Sequence, residues 1–128
     1  MASLNQFVTF VATSDGARSR EFYRDKLGLK FVSDDGFAQV FEVGGIMLRI
    51  ATVKKPVIAP YTVLGWEVRR IEKAVSDLVN KGVIFERFPG LPQDSSGIWT
   101  APSGDKVAWF KDPDGNILSL SEHPNRKN

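Results

Sequence analysis

An internal repeat constrains the fold of this chain more than any other feature of its sequence. Residues 4–53 contain a strand-like run, a helical pattern and three further strand-like runs, and residues 61–123 present the same order again. Residues 54–60, with two prolines, are typical of a linker. Two tandem β-α-β-β-β modules therefore account for nearly all of the chain, which predicts a single α+β domain over residues 1–128.

The first module opens with a β-branched and aromatic strand over residues 4–12. Ser14 is predicted to cap the helix that begins at Asp15. Two glycine-containing turns then separate three strands. The turns are Asp35-Gly36 and Gly44-Gly45, and the predicted strands cover residues 29–34, 37–43 and 46–53.

The second module starts with a strand over residues 61–68 and differs from the first in one long connection. Its helix is predicted from apolar residues at the spacing of one helical face: Ile71, Ala74, Val75, Leu78 and Val79. Its other strands are predicted at residues 83–88, 106–110 and 116–122. Residues 89–104, rich in Pro, Gly and Ser, contain Trp99, so we interpret them as a flap that packs against the rest of the module.

Composition excludes several classes of protein. The 128 residues include 17 Lys and Arg and 15 Asp and Glu, which gives a net charge of +2. They contain no block of basic residues that would indicate nucleic acid as a partner. There is no cysteine, which excludes disulfide scaffolds, zinc ribbons and thiol catalysis. The N-terminus lacks the features of a signal peptide, and no apolar run is long enough to span a membrane. These features predict a cytoplasmic protein.

Two segments give the chain a resemblance to a known family. The segments EFYRDKLGL (21–29) and KDPDGNILSLSE (111–122), together with the duplicated modules, resemble the vicinal oxygen chelate superfamily of glyoxalases, bleomycin resistance proteins and extradiol dioxygenases. The resemblance covers residues 4–123. It implies that each module curls into a half-barrel, that two modules enclose a pocket, and that two chains form a homodimer.

The resemblance also implies where a divalent metal would be held in catalytic members, which use His and Glu from four strands. The matching positions here are Val8, Arg49, Val63 and Ser119. Valine offers no ligand atom, arginine is a permanent cation, and a lone serine hydroxyl is a poor ligand. Shifting any of these positions by one residue restores no His or carboxylate. We therefore predict that the usual metal site is absent and that no cofactor is required.

Strand alternation places a set of apolar and polar side chains on the face of the lost ligand positions. The predicted ligand-binding residues are Phe10, Met47, Arg49, Tyr61, Glu67, Trp99 and Ser119. Arg49 either pairs with Glu67 or another internal carboxylate, or receives an anionic group of a ligand. Glu67 is a candidate general base. Trp66 and Trp109 are predicted on the opposite or edge face of the sheet.

Nucleophilic catalysis by serine is not predicted. Ser119 and Ser121 have no histidine partner within the repeat, and His123, the single histidine, is interpreted as a solvated residue of the C-terminal tail.

Three functions stay open. The first is a pocket protein that binds a small apolar or aromatic compound with an anionic group without a metal, as drug-sequestering members of the superfamily do. The second is a glyoxalase-like lyase or isomerase, or a dioxygenase, that uses unusual metal ligands or no metal. The third is an interaction module whose pocket is filled by Phe10, Met47 and Tyr61.

Overall fold

The structure, a computed structural model, describes residues 2–125. The chain forms two compact units that divide between Ile58 and Ala59. The first unit contains β1 (Val8–Thr13), α1 (Gly16–Glu21), a π-helical turn (Phe22–Lys26), β2 (Lys30–Asp34), β3 (Ala38–Val43) and β4 (Ile46–Thr52). The second contains β5 (Thr62–Glu67), α2 (Ile71–Asn80), β6 (Trp99–Thr100), β7 (Lys106–Lys111) and β8 (Ile117–Glu122).

The two sheets have the same topology, which confirms the α+β fold with two tandem modules. Their strand orders are β1-β4-β3-β2 and β5-β8-β7-β6. In each sheet the first and last strands of the module pair in parallel, and the remaining pairs are antiparallel. The structure contains no helix within residues 2–125 that is long and apolar enough to span a membrane.

The first strand is shorter than the predicted range 4–12. Val8 pairs with Met47, and β4 starts only one residue earlier, at Ile46, which already pairs with Val43 across the turn. Residues before Val8 therefore meet no ladder partner, and Leu4 is 95% exposed. The Gly44-Gly45 hairpin is confirmed, because both glycines have positive φ, as a two-residue turn of this kind requires.

The helix of the first unit begins one residue later than predicted. Asp15, and not Ser14, is the N-cap: its side chain accepts a hydrogen bond from the backbone N–H of Arg18 at 3.1 Å. Asp15 is held by Thr13, whose Oγ1 accepts its N–H at 3.1 Å. The helix continues into the π-helical turn, which buries Phe22 and Tyr23.

Each helix covers one face of its own sheet, and the core of each unit lies between the helix and that face. In the first unit, the Tyr23 ring lies 6.1 Å from that of Phe41, and Leu48 and Ile50 are almost completely buried beside them. In the second, Ile71 and Val75 of α2 are buried, as the spacing predicted, whereas Val79 is 51% exposed. Glu122 caps α2, because its Oε1 accepts the N–H of Ile71 at 3.0 Å.

The strand predicted at residues 83–88 is wrong. Only an isolated bridge joins Phe85 to Phe110, and the edge strand of this sheet is instead β6, which pairs with β7. A side chain explains the change: Gln93 Oε1 accepts the N–H of Phe88 at 2.8 Å, so that group cannot join a ladder. Pro89 and Pro92 follow, and neither has an N–H to donate.

Candidate functional site

The face of the first sheet away from its helix carries four of the residues singled out in the sequence. The register places Val8 beside Met47 and Phe10 beside Arg49. Phe10 is 62% exposed, and Val8 and Met47 are about half exposed. Because strand neighbours on the same face lie within reach of one another, these side chains form a continuous apolar surface around one guanidinium. We call it the first open face.

Arg49 is held by a carboxylate of its own unit. Its Nη2 lies 2.7 Å from Oδ2 of Asp35, at the turn between β2 and β3. Oδ1 of Asp35 accepts the backbone N–H groups of Phe37 at 3.0 Å and Ala38 at 2.9 Å. These amides, with Arg49, hold the pKa of Asp35 below its ordinary value. Among residues 2–125, Asp35 is the acidic partner that the structure gives to Arg49.

The corresponding face of the second sheet is polar at its centre. Gly65 lies opposite Ser119 and Glu67 lies opposite Ser121 on the parallel strands β5 and β8. The absence of a side chain at Gly65 makes room for Ser119, since a Cβ there would lie 2.5 Å from the Ser119 hydroxyl oxygen. Glu67 is exposed and Ser119 is half-buried. We call this the second open face.

A bulge interrupts β5 at Val63. Thr62 pairs with Ile117 and Leu64 with Leu118, so Val63 is an additional residue without a partner in the ladder. Tyr61, which precedes β5, is 66% exposed. Simple alternation from residue 61 to residue 67 therefore does not describe this strand: the face shared with Ser119 holds Thr62, opposite Ile117, and then Gly65 and Glu67.

Aromatic side chains border the second open face. Trp109 lies opposite Ser119, and Trp99 lies opposite Val107, the partner of Ser121. The rings of Trp99 and Trp109 are 6.2 Å apart, and Phe88 meets Trp109 edge-on at 5.4 Å. The prediction for Trp109 was wrong, because antiparallel pairing with Ser119 puts it on the open face.

Trp66 occupies the opposite face, as predicted. It stacks on Phe110 at a centroid distance of 6.4 Å, beneath the covered side of the second sheet. The turn at Asp114-Gly115 fixes the register of the β7–β8 hairpin. Counting residues outward from this turn could have shown that Trp109 lies on the other face of the sheet from Trp66.

The connection over residues 89–104 is an ordered part of the second unit. Gln93 Nε2 donates to the carbonyl oxygens of Glu86 and Gly97 at 2.9 and 2.8 Å, and Asp94 Oδ1 accepts the N–H of Ile98 at 2.9 Å. Ile98 is buried in the core. The segment packs against its own module, as its content of Ile98 and Trp99 indicated.

His123 is not the solvated tail residue that the sequence suggested. Its Nε2 lies 2.9 Å from Ser121 Oγ, and its Nδ1 lies 3.2 Å from Asp105 Oδ2. Ser121 and His123 are two residues apart at the end of β8, which places them on the same side of the chain. Asp105 arrives from the adjacent strand, where Lys106 pairs with Glu122.

The residues at the positions where the resemblance implies a divalent metal do not fit one. Val8 and Val63 have no donor atom, Arg49 is a cation already paired with a carboxylate, and Ser119 offers one neutral hydroxyl. Within residues 2–125, no group of three or more His, Cys, Asp or Glu side chains is arranged to hold a metal ion.

The fold and these faces define an α+β protein of two duplicated modules, each with a helix on one side of its sheet and an open face on the other. The profile of the Glyoxalase/Bleomycin resistance protein/Dioxygenase superfamily matches residues 3–120, and the chain belongs to this superfamily. A search of curated proteins found no match.

Solved structures show the same fold. A lactoylglutathione lyase from Agrobacterium tumefaciens is 17% identical with a TM-score of 0.71, covering 94% of this chain and 95% of its own. A glyoxalase/bleomycin resistance protein/dioxygenase from Alicyclobacillus acidocaldarius is 16% identical, TM-score 0.71, covering 95% and 93%. A protein of the same description from Nocardioides is 18% identical, TM-score 0.70, covering 100% and 92%.

Proposed function

We propose that this chain binds a small aromatic or apolar compound that carries an anionic group, without a metal, and that the first open face receives it. The observation that carries the proposal is the surface itself: Phe10, Met47 and Val8 leave apolar area exposed around Arg49. Small-molecule sites combine such apolar area with a few polar groups that fix orientation. An aromatic acid matches both features.

Arg49 has the chemistry to orient the anion. Its planar guanidinium has five N–H donors, and within residues 2–125 the structure assigns one of its nitrogens, Nη2, to Asp35. The remaining donors suit a carboxylate, and a hydrogen bond between two charged groups is stronger than a neutral one. Asp35 keeps the guanidinium in place when no ligand is bound.

The test uses 2-naphthoate and the uncharged 2-naphthamide, which have the same ring system. Binding is measured by calorimetry for the wild type and for Arg49→Met, which keeps an apolar stem and removes the charge. We expect Arg49→Met to weaken 2-naphthoate about tenfold, as loss of a charge-assisted hydrogen bond does, and to leave 2-naphthamide unchanged.

The matched control is Arg24→Met. Arg24 also forms an arginine–carboxylate pair at 2.7 Å, with Asp25, but it lies in the π-helical turn and not on the open face. It is expected to bind both probes like the wild type. Failure of either probe to bind at millimolar concentration, or unchanged 2-naphthoate affinity in Arg49→Met, overturns the proposal.

The alternative function, a metal-dependent lyase, isomerase or dioxygenase, has a separate test. The protein is incubated with nickel, zinc, manganese or iron salts, desalted, and its metal content measured by elemental analysis. A stoichiometric amount of any of these metals favours the enzyme and contradicts our proposal, because it requires ligands outside Val8, Arg49, Val63 and Ser119.

We also propose that the chain forms a homodimer. Large apolar side chains are left exposed at several places, among them Leu4 at 95% and Val57 at 92%. Exposed apolar side chains that adjoin one another, as Val8, Phe10 and Met47 do on the first open face, are typical of surfaces that a partner covers. Size-exclusion chromatography with light scattering is expected to give twice the chain mass, and a monomer at micromolar concentration contradicts the proposal.

A further inference from the structure

We propose that Ser121, His123 and Asp105 form a nucleophilic site that cleaves small carboxylic esters of aromatic acids. Two contacts join the three side chains, with 2.9 Å between Ser121 Oγ and His123 Nε2 and 3.2 Å between His123 Nδ1 and Asp105 Oδ2. Each ring nitrogen thus has a different partner, a hydroxyl on one side and a carboxylate on the other. This is the arrangement by which a serine is activated as a nucleophile.

The carboxylate decides how the imidazole is used. Asp105 can only accept a hydrogen bond when ionised, so the proton of the neutral ring is best placed on Nδ1, which donates to Oδ2. Nε2 then carries the lone pair and accepts the hydroxyl proton of Ser121. Asp105 acts through His123 and is a positioning residue, while Ser121 and His123 are the catalytic residues of the proposed reaction.

The backbone holds this alignment from two sides. Ser121 and His123 project from the same side of the end of β8 because they are two residues apart. Asp105 precedes β7, whose Lys106 pairs with Glu122, and its backbone carbonyl accepts the N–H of Ala101 at 2.7 Å. A strand end and a closed turn are more rigid supports than a free tail.

Solvent and substrate can reach the group. The side chains of His123 and Asp105 are 33% and 35% exposed, and both line a shallow cleft of about 360 Å³ together with Ser103 and Asn125. Ser121 is half-buried. Ser121 lies on the second open face, which no helix of its own module covers, and this is the side from which an ester carbonyl would approach.

The aromatic border of the second open face suggests the acyl group. Val107 is the register partner of both Ser121 and Trp99, so the indole of Trp99 lies on the side of the sheet from which Ser121 projects. Trp109 lies against Trp99. Flat apolar surfaces of this kind bind aromatic rings by stacking. An ester of an aromatic acid therefore fits better than one of a polar acid.

The reaction balances with water as the only co-reactant. Ser121 Oγ bonds to the ester carbonyl carbon while its proton passes to His123 Nε2; the C–O bond to the alcohol then breaks, and the alcohol leaves with that proton. Water attacks the resulting acyl-serine, gives a proton to Nε2, and the acid leaves as Ser121 Oγ takes the proton back. The ester and one water become one acid and one alcohol.

The test is acylation by 4-nitrophenyl benzoate. Release of 4-nitrophenolate is followed by absorbance, and the benzoylated peptide is identified by mass spectrometry. We expect one benzoyl group on Ser121, none in Ser121→Ala, and a rate about 10²-fold or more lower in His123→Ala. Ser76→Ala, which removes an exposed hydroxyl on α2, away from the second open face, is the control and is expected to react like the wild type.

A second set of variants separates positioning from folding. Asp105→Asn is expected to slow acylation by about 10² or more, because the wrong ring tautomer is then favoured, and Asp105→Glu is expected to recover part of the rate. Melting temperatures are measured for every variant. Absence of label on Ser121, or labelling of Ser121 at the wild-type rate in a folded His123→Ala or Asp105→Asn variant, overturns the proposal.

Discussion

Asp112, in the turn between β7 and β8, is predicted to be a major source of stability. Its side chain is almost completely buried and accepts three hydrogen bonds: Oδ1 from the backbone N–H groups of Asp114 and Asn116, both at 3.0 Å, and Oδ2 from Nδ2 of Asn116 at 2.9 Å. Removing the carboxylate in Asp112→Ala leaves these three donors without their acceptor. Asn116 is itself buried, so water cannot replace the acceptor for two of them.

The size of the effect follows from those two donors. A buried donor left without a partner costs about 1–3 kcal/mol, so Asp112→Ala is expected to lower the free energy of unfolding by about 4 kcal/mol. For a chain of this length that corresponds to a fall in Tm of about 15 °C. Asp112→Asn keeps one oxygen for the backbone amides but turns an NH₂ group towards Asn116 Nδ2. Its free energy of unfolding is therefore expected to lie between those of the wild type and Asp112→Ala.

Urea unfolding followed by tryptophan fluorescence measures the change. Asp94→Ala is the control, because Asp94 Oδ1 also accepts two backbone N–H groups, those of Ser96 and Ile98 at 2.9 Å, but the residue is exposed. We expect about 2 kcal/mol for the control, because water can replace the acceptor for the exposed Ser96 but not for Ile98, which is buried. Equal losses in Asp112→Ala and Asp94→Ala would refute the reasoning that burial decides the cost.

Three shorter predictions concern other parts of the chain. Phe110 is fully buried against Trp66 and Phe85, and Phe110→Ala is expected to cost about 3–5 kcal/mol in urea unfolding; a loss below about 1 kcal/mol contradicts the packing described. The pKa of Asp35 is lowered in the folded state, so its contribution to stability is complete above the ordinary pKa of 3.8 and is lost as the pH falls through the lowered pKa. Asp35→Asn is expected to reduce the loss of stability at acid pH, and an unchanged loss contradicts this. Gly65→Ala forces the Ser119 hydroxyl to move, so its cost is expected to shrink in a Ser119→Ala background by about 0.5 kcal/mol or more, and additive costs contradict the close contact.

The repeat was enough to predict two modules with the same order of elements along the chain, whereas the strand order within each sheet required the structure. Apolar alternation and the two-glycine turn between β3 and β4 act within a few residues, so they can be recognised from the sequence. The edge strand of the second sheet could not be predicted in this way. It depends on Gln93, whose side-chain oxygen accepts a hydrogen bond from the N–H of Phe88, five residues earlier. Such a side-chain contact leaves no periodic pattern in the sequence.

The candidate site was predictable to the extent that strands alternate. Val8, Phe10, Met47 and Arg49 lie on one face because β1 and β4 pair without interruption. The second open face was predicted less well, because the bulge at Val63 breaks the alternation and puts Thr62, rather than Tyr61 and Val63, beside Ile117 on that face. The partners of Arg49 and His123 are fixed by a turn and by a neighbouring strand, so they required the structure.

The two open faces show where a duplicated module is free to change. A polar or charged substitution on the covered face of either sheet meets a helix and a close-packed core. The loss of a large apolar side chain there lowers the free energy of unfolding by about 2–5 kcal/mol on its own. On the open face the same change meets no helix of its own module. The first sheet accordingly keeps Leu48 and Ile50 beneath α1 and places Arg49 between them on the other side, and the second keeps Leu118 and Leu120 beneath α2 and places Ser119 between them. Alternation along a single strand thus separates the residues that specify the fold from those that can acquire new chemistry, and it explains how one topology carries an arginine–carboxylate pair in one module and a serine–histidine–aspartate group in the other.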